Sequence, residues 1–297
     1  MRAPPLPGRV RRVEVSTALH RLGGVSDLRG LLALVARAEL EDAVAAGKVL
    51  HPARNLYALP VTDAAVVGAR RVHGVVSHLS AALAWGWKVK QPPDRPIVSV
   101  ARHRHPEGKA TEGLDVRFAV LPADDVADGR TTRARTVLDC CRSLPFDEAL
   151  AVCDSALRSR SVTREQLCKA AIAGPRTGRQ VALRVIAASD GRAANPFESA
   201  LRAIALDVPG FCAVAQGAVG PWHADVADLA LRIAVEAESF EFHALPEAFR
   251  HDIRRYTDMV RRGWLVMRFT WEDVMHKPQV VRAALIDVVA LRHASAA

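Results

Sequence analysis

Asp225, Glu236 and Glu238 are acidic residues set in stretches that otherwise read as apolar strand, and they are the side chains here most able to do chemistry. Asp225 lies in the short stretch Ala224–Ala227, and Glu236 and Glu238 lie at the end of the next, Leu231–Ala237. Side chains of a strand repeat every second residue, so Glu236 and Glu238 point to one side, and a hairpin brings Asp225 beside Glu236. Carboxylates placed together repel unless they share a proton or a divalent cation. Hard oxygen ligands of this kind fit Mg2+ or Mn2+, and such an ion could polarise a phosphate and help generate hydroxide for its hydrolysis. Plainer readings stand beside this one. Asp225 also suits a strand end next to a turn. Glu236, flanked by Val235 and Ala237, has the least ordinary explanation.

The elements that must hold these residues are legible in residues 191–297. Asn195-Pro196-Phe197-Glu198 opens a helix with an N-cap, a proline at the first position and a glutamate at the third. Phe197, Leu201, Ile204 and Val208 share one face, and Gly210 closes the segment. Ala213–Val219, Ala224–Ala227 and Leu231–Ala237 read as strands. Pro246–Arg262 reads as a polar helix stopped by Gly263, and Trp264–Phe269 as a further strand with a core of Trp264, Val266 and Phe269. Glu272–Val274 and Val280–Leu291 complete an α+β unit.

The chain has 297 residues, half of them hydrophobic and only 5% aromatic, which predicts two or three domains of a helix-rich α+β protein. The net charge of +9 favours anionic partners, nucleic acid or an acidic membrane surface. Arginine outnumbers lysine, which suits phosphate forks and equally suits a GC-rich genome. Five cysteines at no zinc-like spacing, Cys140, Cys141, Cys153, Cys168 and Cys212, are expected to be reduced and buried or nearly so. No apolar segment follows the N-terminal arginines and no run of about 18 apolar residues occurs, so a cytoplasmic protein that does not cross a membrane is expected.

Upstream, residues 1–12 read as a basic disordered arm. Residues 13–60 read as helices Val15–Leu22, Asp27–Ala36 (capped by Ser26) and Leu40–Ala46, followed by a hairpin around Pro52-Ala53-Arg54-Asn55. That is the outline of a winged helix-turn-helix, with Lys48, His51 and Arg54 as the wing's contacts to nucleic acid. A small helical module that binds protein fits the same pattern. Residues 61–190 read as a mixed α/β middle region. Its helices are Ala64–Arg71, Ser77–Trp85, Thr136–Leu144, Phe146–Ser159 and Val162–Ala173, and its strands are Pro96–Arg102 and Leu114–Val120. Gly174–Gly178 reads as a linker and Arg102-His103-Arg104-His105 as a cationic loop.

Asp225, ten intervening positions, then Glu236-Ala237-Glu238 resembles the PD-(D/E)XK nuclease signature. The wider run of Glu198, Gln216, Asp225, Val235-Glu236-Ala237-Glu238, His243, Phe249-Arg250-His251-Asp252-Ile253-Arg254-Arg255 and Gly263-Trp264-Leu265-Val266-Met267-Arg268-Phe269 is similar to relatives of the Vsr mismatch-repair endonucleases, which have a restriction-endonuclease-like fold. Leu19-His20-Arg21-Leu22-Gly23-Gly24, Tyr57-Ala58-Leu59-Pro60, Ser77-His78-Leu79-Ser80-Ala81-Ala82 and Arg135-Thr136-Val137-Leu138-Asp139 resemble the AbiEi type IV antitoxins, with their winged-helix module.

The nuclease resemblance implies that Asp225 and Glu236 hold Mg2+ or Mn2+, with Glu198 an outer acidic ligand. It implies His243 as a base and an arginine such as Arg255 stabilising charge on the phosphate. Glu198 is equally explained as a capping-box partner, His243 as a surface histidine, and Asp252 with Arg255 as an i,i+3 helix pair. Glu238 stands where the motif carries lysine, and Ser239 where relatives tend to carry glycine. The expected function is metal-dependent DNA phosphodiester hydrolysis in repair or phage defence, with homodimerisation open. The alternative is a non-catalytic AbiEi-like antitoxin or repressor, with a cognate toxin and a degenerate nuclease fold.

Overall fold

The computed structural model describes residues 13–238 and 246–294, and the chain divides into two compact units of mixed helix and sheet. The basic stretch 1–12, Ser239 and His243 lie outside the described residues.

One unit takes Pro93–Thr131 together with the described part of Met1–Ser80. It opens with α1 (Val15–Arg21), β1 (Val25–Asp27), α2 (Leu28–Leu32), α3 (Arg37–Ala45), β2 (Leu50–Ala53) and β3 (Leu56–Ala58). The strands form an antiparallel sheet in the order β1-β3-β2. Ala18, Leu19, Leu31, Leu40 and Val49 are the centre of its core. Two details depart from the sequence expectation. The second helix is short, and its cap is Asp27, whose Oδ1 accepts from the Gly30 N–H at 2.7 Å, while Ser26 lies in β1. Pro52 and Ala53 belong to strand β2, and Arg54 and Asn55 make the turn, with Asn55 at φ 63°.

The same unit continues through α4 (Ala64–Arg71), β4 (Val75–Val76), the start of α5 (His78–Ala84), β5 (Ile97–Ala101), β6 (Asp115–Ala119), β7 (Val126–Ala127) and β8 (Arg130–Thr131). These strands form a five-stranded sheet in the order β6-β5-β4-β8-β7. Only β5 and β6 were expected. The others are two residues long, too short to show an alternation.

The second unit takes Ala81–Pro92, with the rest of α5, and then α6 (Arg133–Ser143), α7 (Phe146–Arg158), α8 (Arg164–Ala173) and α9 (Arg179–Ala188). Thr163 and Gln166 form the capping box expected at α8, whereas α9 was not foreseen after the glycine-bounded linker. The unit then runs α10 (Pro196–Leu206), β9 (Val214–Val219), β10 (Trp222–Asp228), β11 (Ile233–Glu238), α11 (Pro246–Arg261), β12 (Leu265–Thr270), α12 (Trp271–His276) and α13 (Pro278–Ala294). The sheet order is β12-β11-β10-β9, antiparallel except for the parallel pair of β11 and β12. Alternation along β11 sends Ile233 and Val235 into a core with Leu201 of α10 and Leu285 of α13. It sends Ala234 to the other face, against Met259 of α11. Phe269 is buried, while Trp264 and Val266 are half-buried.

Among the cysteines, Cys140, Cys141 and Cys153 are buried and Cys168 is half-buried, but Cys212 is exposed, against expectation. No helix among the described residues is long and apolar enough to cross a membrane.

Gly217 lies buried in β9, where an added Cβ would stand 2.5 Å from the Cβ of Ala227. Gly217→Ala is expected to destabilise by about 1–3 kcal/mol through overpacking, read as a lower urea midpoint at unchanged slope.

Candidate functional site

The β10–β11 hairpin pairs Val226 with Val235, which sets Asp225 and Glu236 side by side. The Ala237 N–H donates to Asp225 Oδ2 at 2.9 Å. Glu198 enters from the first turn of α10. It is held there as a cap partner: the Ala194 N–H donates to its Oε2 at 2.8 Å and Asn195 Nδ2 to its Oε1 at 2.9 Å. Asn195 Oδ1 in turn accepts from the Glu198 N–H at 3.0 Å. Glu198 therefore serves the start of the helix through the Ala194 N–H and the Asn195 side chain, rather than the N-cap backbone N–H of a capping box, and the same carboxylate also faces the sheet. Gln216 Nε2 donates to Glu198 Oε2 at 2.9 Å and to Asp225 Oδ1 at 3.3 Å, so one amide joins two acids.

The motif run includes Gln216 but by itself gives it no role. Gln216 sits in β9 at φ 48°, a conformation costing a non-glycine residue about 1–3 kcal/mol.

Arg255 of α11 is the cation of the cluster. Its Nη2 donates to Glu236 Oε1 at 2.7 Å and to the His223 carbonyl at 2.6 Å. The ion pair is well covered, with side chains 18% and 3% exposed. Arg255 thus reaches across to β11. Glu238 faces a second set of donors: Arg268 Nε at 2.9 Å and the Tyr256 hydroxyl. Arg268 also lies 4.3 Å from the centroid of the Tyr256 ring.

Burial dominates the electrostatics. It pushes Glu236 up to about 8, with the charge of Asp225 adding and Arg255 opposing. Burial also raises Asp225, against the Ala237 N–H, Arg255 and Gln216. Glu198 is raised by burial and then by Asp225. The cluster accordingly holds a shared proton readily. As a cation site it has adjacent carboxylates in its favour. Against it, Arg255, Gln216 and the Ala237 N–H already take oxygens of those carboxylates. Among the described residues, no group of three or more His, Cys, Asp and Glu side chains is placed to hold a metal ion.

The residues expected to touch nucleic acid are all exposed: Lys48 after α3, His51 on β2 and Arg54 in the β2–β3 turn. The His51 ring stacks on Tyr57, with centroids 4.6 Å apart and planes 11° from parallel. The cationic run Arg102-His103-Arg104-His105 is an exposed loop between β5 and β6.

Residues 75–186 match the family model of the AbiEi antitoxin C-terminal domain, so the chain carries an AbiEi-type region from β4 through most of α9. Two curated proteins from two strains of Mycobacterium tuberculosis, the uncharacterized proteins Rv2248 and MT2308, are each 31% identical over 179 residues. The match covers 57% of this chain and 66% of each relative. The crystal structure of the RV2827C protein of Mycobacterium tuberculosis aligns with 63% of this chain and 78% of its own, at 13% identity and a TM-score of 0.38.

Proposed function

We propose that this chain is a DNA-binding regulator of the AbiEi antitoxin kind, cytoplasmic and paired with a cognate toxin, and that its carboxylate cluster is structural rather than hydrolytic. The match of residues 75–186 to the antitoxin domain carries this reading. Two features support it. The order α1-β1-α2-α3-β2-β3, with its three-stranded antiparallel sheet, has the outline of a winged helix-turn-helix that holds DNA through backbone contacts. The guanidinium of Arg255 on Glu236 supplies from within the protein the positive charge that a cation would bring. The test is binding and cleavage of duplex DNA by the full chain, with and without Mg2+ or Mn2+. Salt-sensitive binding with the DNA left intact is the expected result. Metal-dependent nicking that disappears in Glu236→Ala would sink the regulator reading.

A second reading is favoured by one specific observation, the joining of Glu198 and Asp225 through Gln216 with Glu236 next to Asp225 across the hairpin. In it the C-terminal elements are a Vsr-like nuclease, Asp225 and Glu236 hold Mg2+ or Mn2+, and His243, Glu238 and Arg255 assist. Two copies would be needed to cut both strands. Calorimetry with Mn2+ on wild type and on the Asp225→Ala/Glu236→Ala double variant separates the two. Binding that vanishes in the variant supports the nuclease, and absence of binding to folded wild type removes it.

A further inference from the structure

We propose that the DNA backbone docks in a basic pocket between the β2–β3 turn and the C-terminal end of α4, and that α3 does not enter a groove. This rests on the DNA-binding reading above and specifies which face does the binding.

The pocket has a volume of about 300 Å3, and its cationic lining comes from two separate elements. Arg54 comes from the hairpin turn, and Arg70, Arg71 and His73 come from the end of α4 and just beyond. The turn is anchored, because Asn55 Oδ1 accepts from the Leu28 N–H at 3.2 Å. The wall of the pocket is anchored too. Arg71 donates through Nε to the Ala110 carbonyl at 2.9 Å and through Nη2 to the Glu112 carbonyl. Arg54, Arg70 and His73 are exposed, and neither arginine is in an ion pair among the described residues. The one acid in the lining, Asp27, caps α2 through Oδ1 and is in no ion pair with Arg54 or Arg70 among the described residues. Arginines held on a concave surface without acidic partners are an arrangement for phosphate oxygens.

The surface of α3 has the wrong sign. In the winged-helix outline α3 would be the helix to read a groove, yet it carries one arginine, Arg37, against Glu39, Glu41 and Asp42. Arg37 is itself 3.9 Å from Glu41. Lys48 lies in a groove shared with Glu14, Glu39 and Asp42. Pressing this surface on a phosphate backbone would set like charges together, which costs affinity.

The experiment is fluorescence anisotropy of a labelled DNA duplex with the full chain over a salt series. The variants are Arg54→Ala/Arg70→Ala, its charge-keeping counterpart Arg54→Lys/Arg70→Lys, Arg37→Ala and Lys48→Ala/His51→Ala, each checked for folding by circular dichroism. The alanine pair is expected to lose roughly tenfold in affinity at ~0.1 M salt, and its log–log salt slope to fall by about 2. The lysine pair should keep most of the binding, and Arg37→Ala should change it less than about twofold. An alanine pair that binds like wild type, with the loss falling on Arg37→Ala or Lys48→Ala/His51→Ala, overturns the pocket and leaves the DNA reading standing. Wild type without salt-sensitive binding removes the DNA reading itself, and the pocket with it. Displacement of the duplex by inorganic phosphate at matched ionic strength would mean a free-anion site and would also overturn the proposal.

Discussion

Glu236→Gln is expected to make the protein more stable than wild type above pH 8, by about 2–4 kcal/mol, and to change little near pH 4.5. The buried carboxyl of Glu236 is raised from its ordinary 4.5 to about 8. Below pH 4.5 folded and unfolded chains both hold the proton, and the group makes no difference. Between pH 4.5 and 8 the unfolded chain ionises while the folded one does not, so wild-type stability falls as pH rises. Above pH 8 the folded chain must carry the buried charge, and the penalty stays level. The full shift, in which the opposing pull of Arg255 is already counted, corresponds to roughly 5 kcal/mol, and part of that gain is given back because a glutamine carbonyl is a weaker acceptor for Arg255 than a carboxylate. Glutamine cannot ionise, yet its carbonyl still accepts from Arg255. Urea midpoints on either side of the window decide the matter. If wild type instead gains stability toward pH 8 and the variant is the weaker, the Arg255 pair outweighs burial and the direction argued here is wrong. Added Mn2+ gives an independent reading: an ion held by the carboxylates would stabilise wild type and not the variant.

What the sequence made legible follows the range of the forces involved. The meeting of Asp225 with Glu236 depends only on the two-residue period and a hairpin, and both are local. The role of Asn195 and Glu198 depends on four consecutive residues and was equally visible. The partner of Arg255 was not. Its spacing from Asp252 satisfies a helix-pair rule, but the carboxylate it takes lies 19 residues earlier, on another element. The backbone conformation of Gln216 was hidden for a different reason, because a positive φ inside a strand leaves no trace when the residue is not glycine. At α2 two good caps, Ser26 and Asp27, stood side by side, and propensity alone does not choose between them. The exposure of Lys48, His51 and Arg54 was legible from their polar side chains beside the expected hairpin turn. The acidic character of α3, which sets Lys48 apart from Arg54, was present in Glu39, Glu41 and Asp42 but needed the fold to matter.

Arg202→Met is expected to cost about 3–5 kcal/mol at neutral pH, because it strips the partner from a buried acid. Arg202 of α10 and Asp154 of α7 have side chains only 3% and 1% exposed, and Arg202 Nη2 meets both Asp154 oxygens at 2.9 and 2.8 Å. The Asp190 N–H at 2.6 Å and the Ser199 hydroxyl at 2.8 Å complete the acid's set of donors. Burial already raises the Asp154 carboxyl while Arg202 opposes it, so losing Arg202 raises it further. The variant can then avoid the buried charge only by binding a proton, and its deficit should shrink as pH falls. Asp154→Leu/Arg202→Met removes both charges and should recover much of the loss, giving a coupling that neither single variant shows. Equal losses in the single and double variants would mean that packing, not the charge pair, sets the cost. The pair also has a consequence for the site. Ser199 and Arg202 face α7 from the same turns of α10 that present Glu198 to Gln216. Asp154 lies inside the segment that matches the antitoxin domain, and all three of its side-chain and backbone donors lie beyond the segment's end. A fragment stopping at residue 186 loses these donors together with the α10 surface packed against α7, and should therefore be markedly less stable than the full chain.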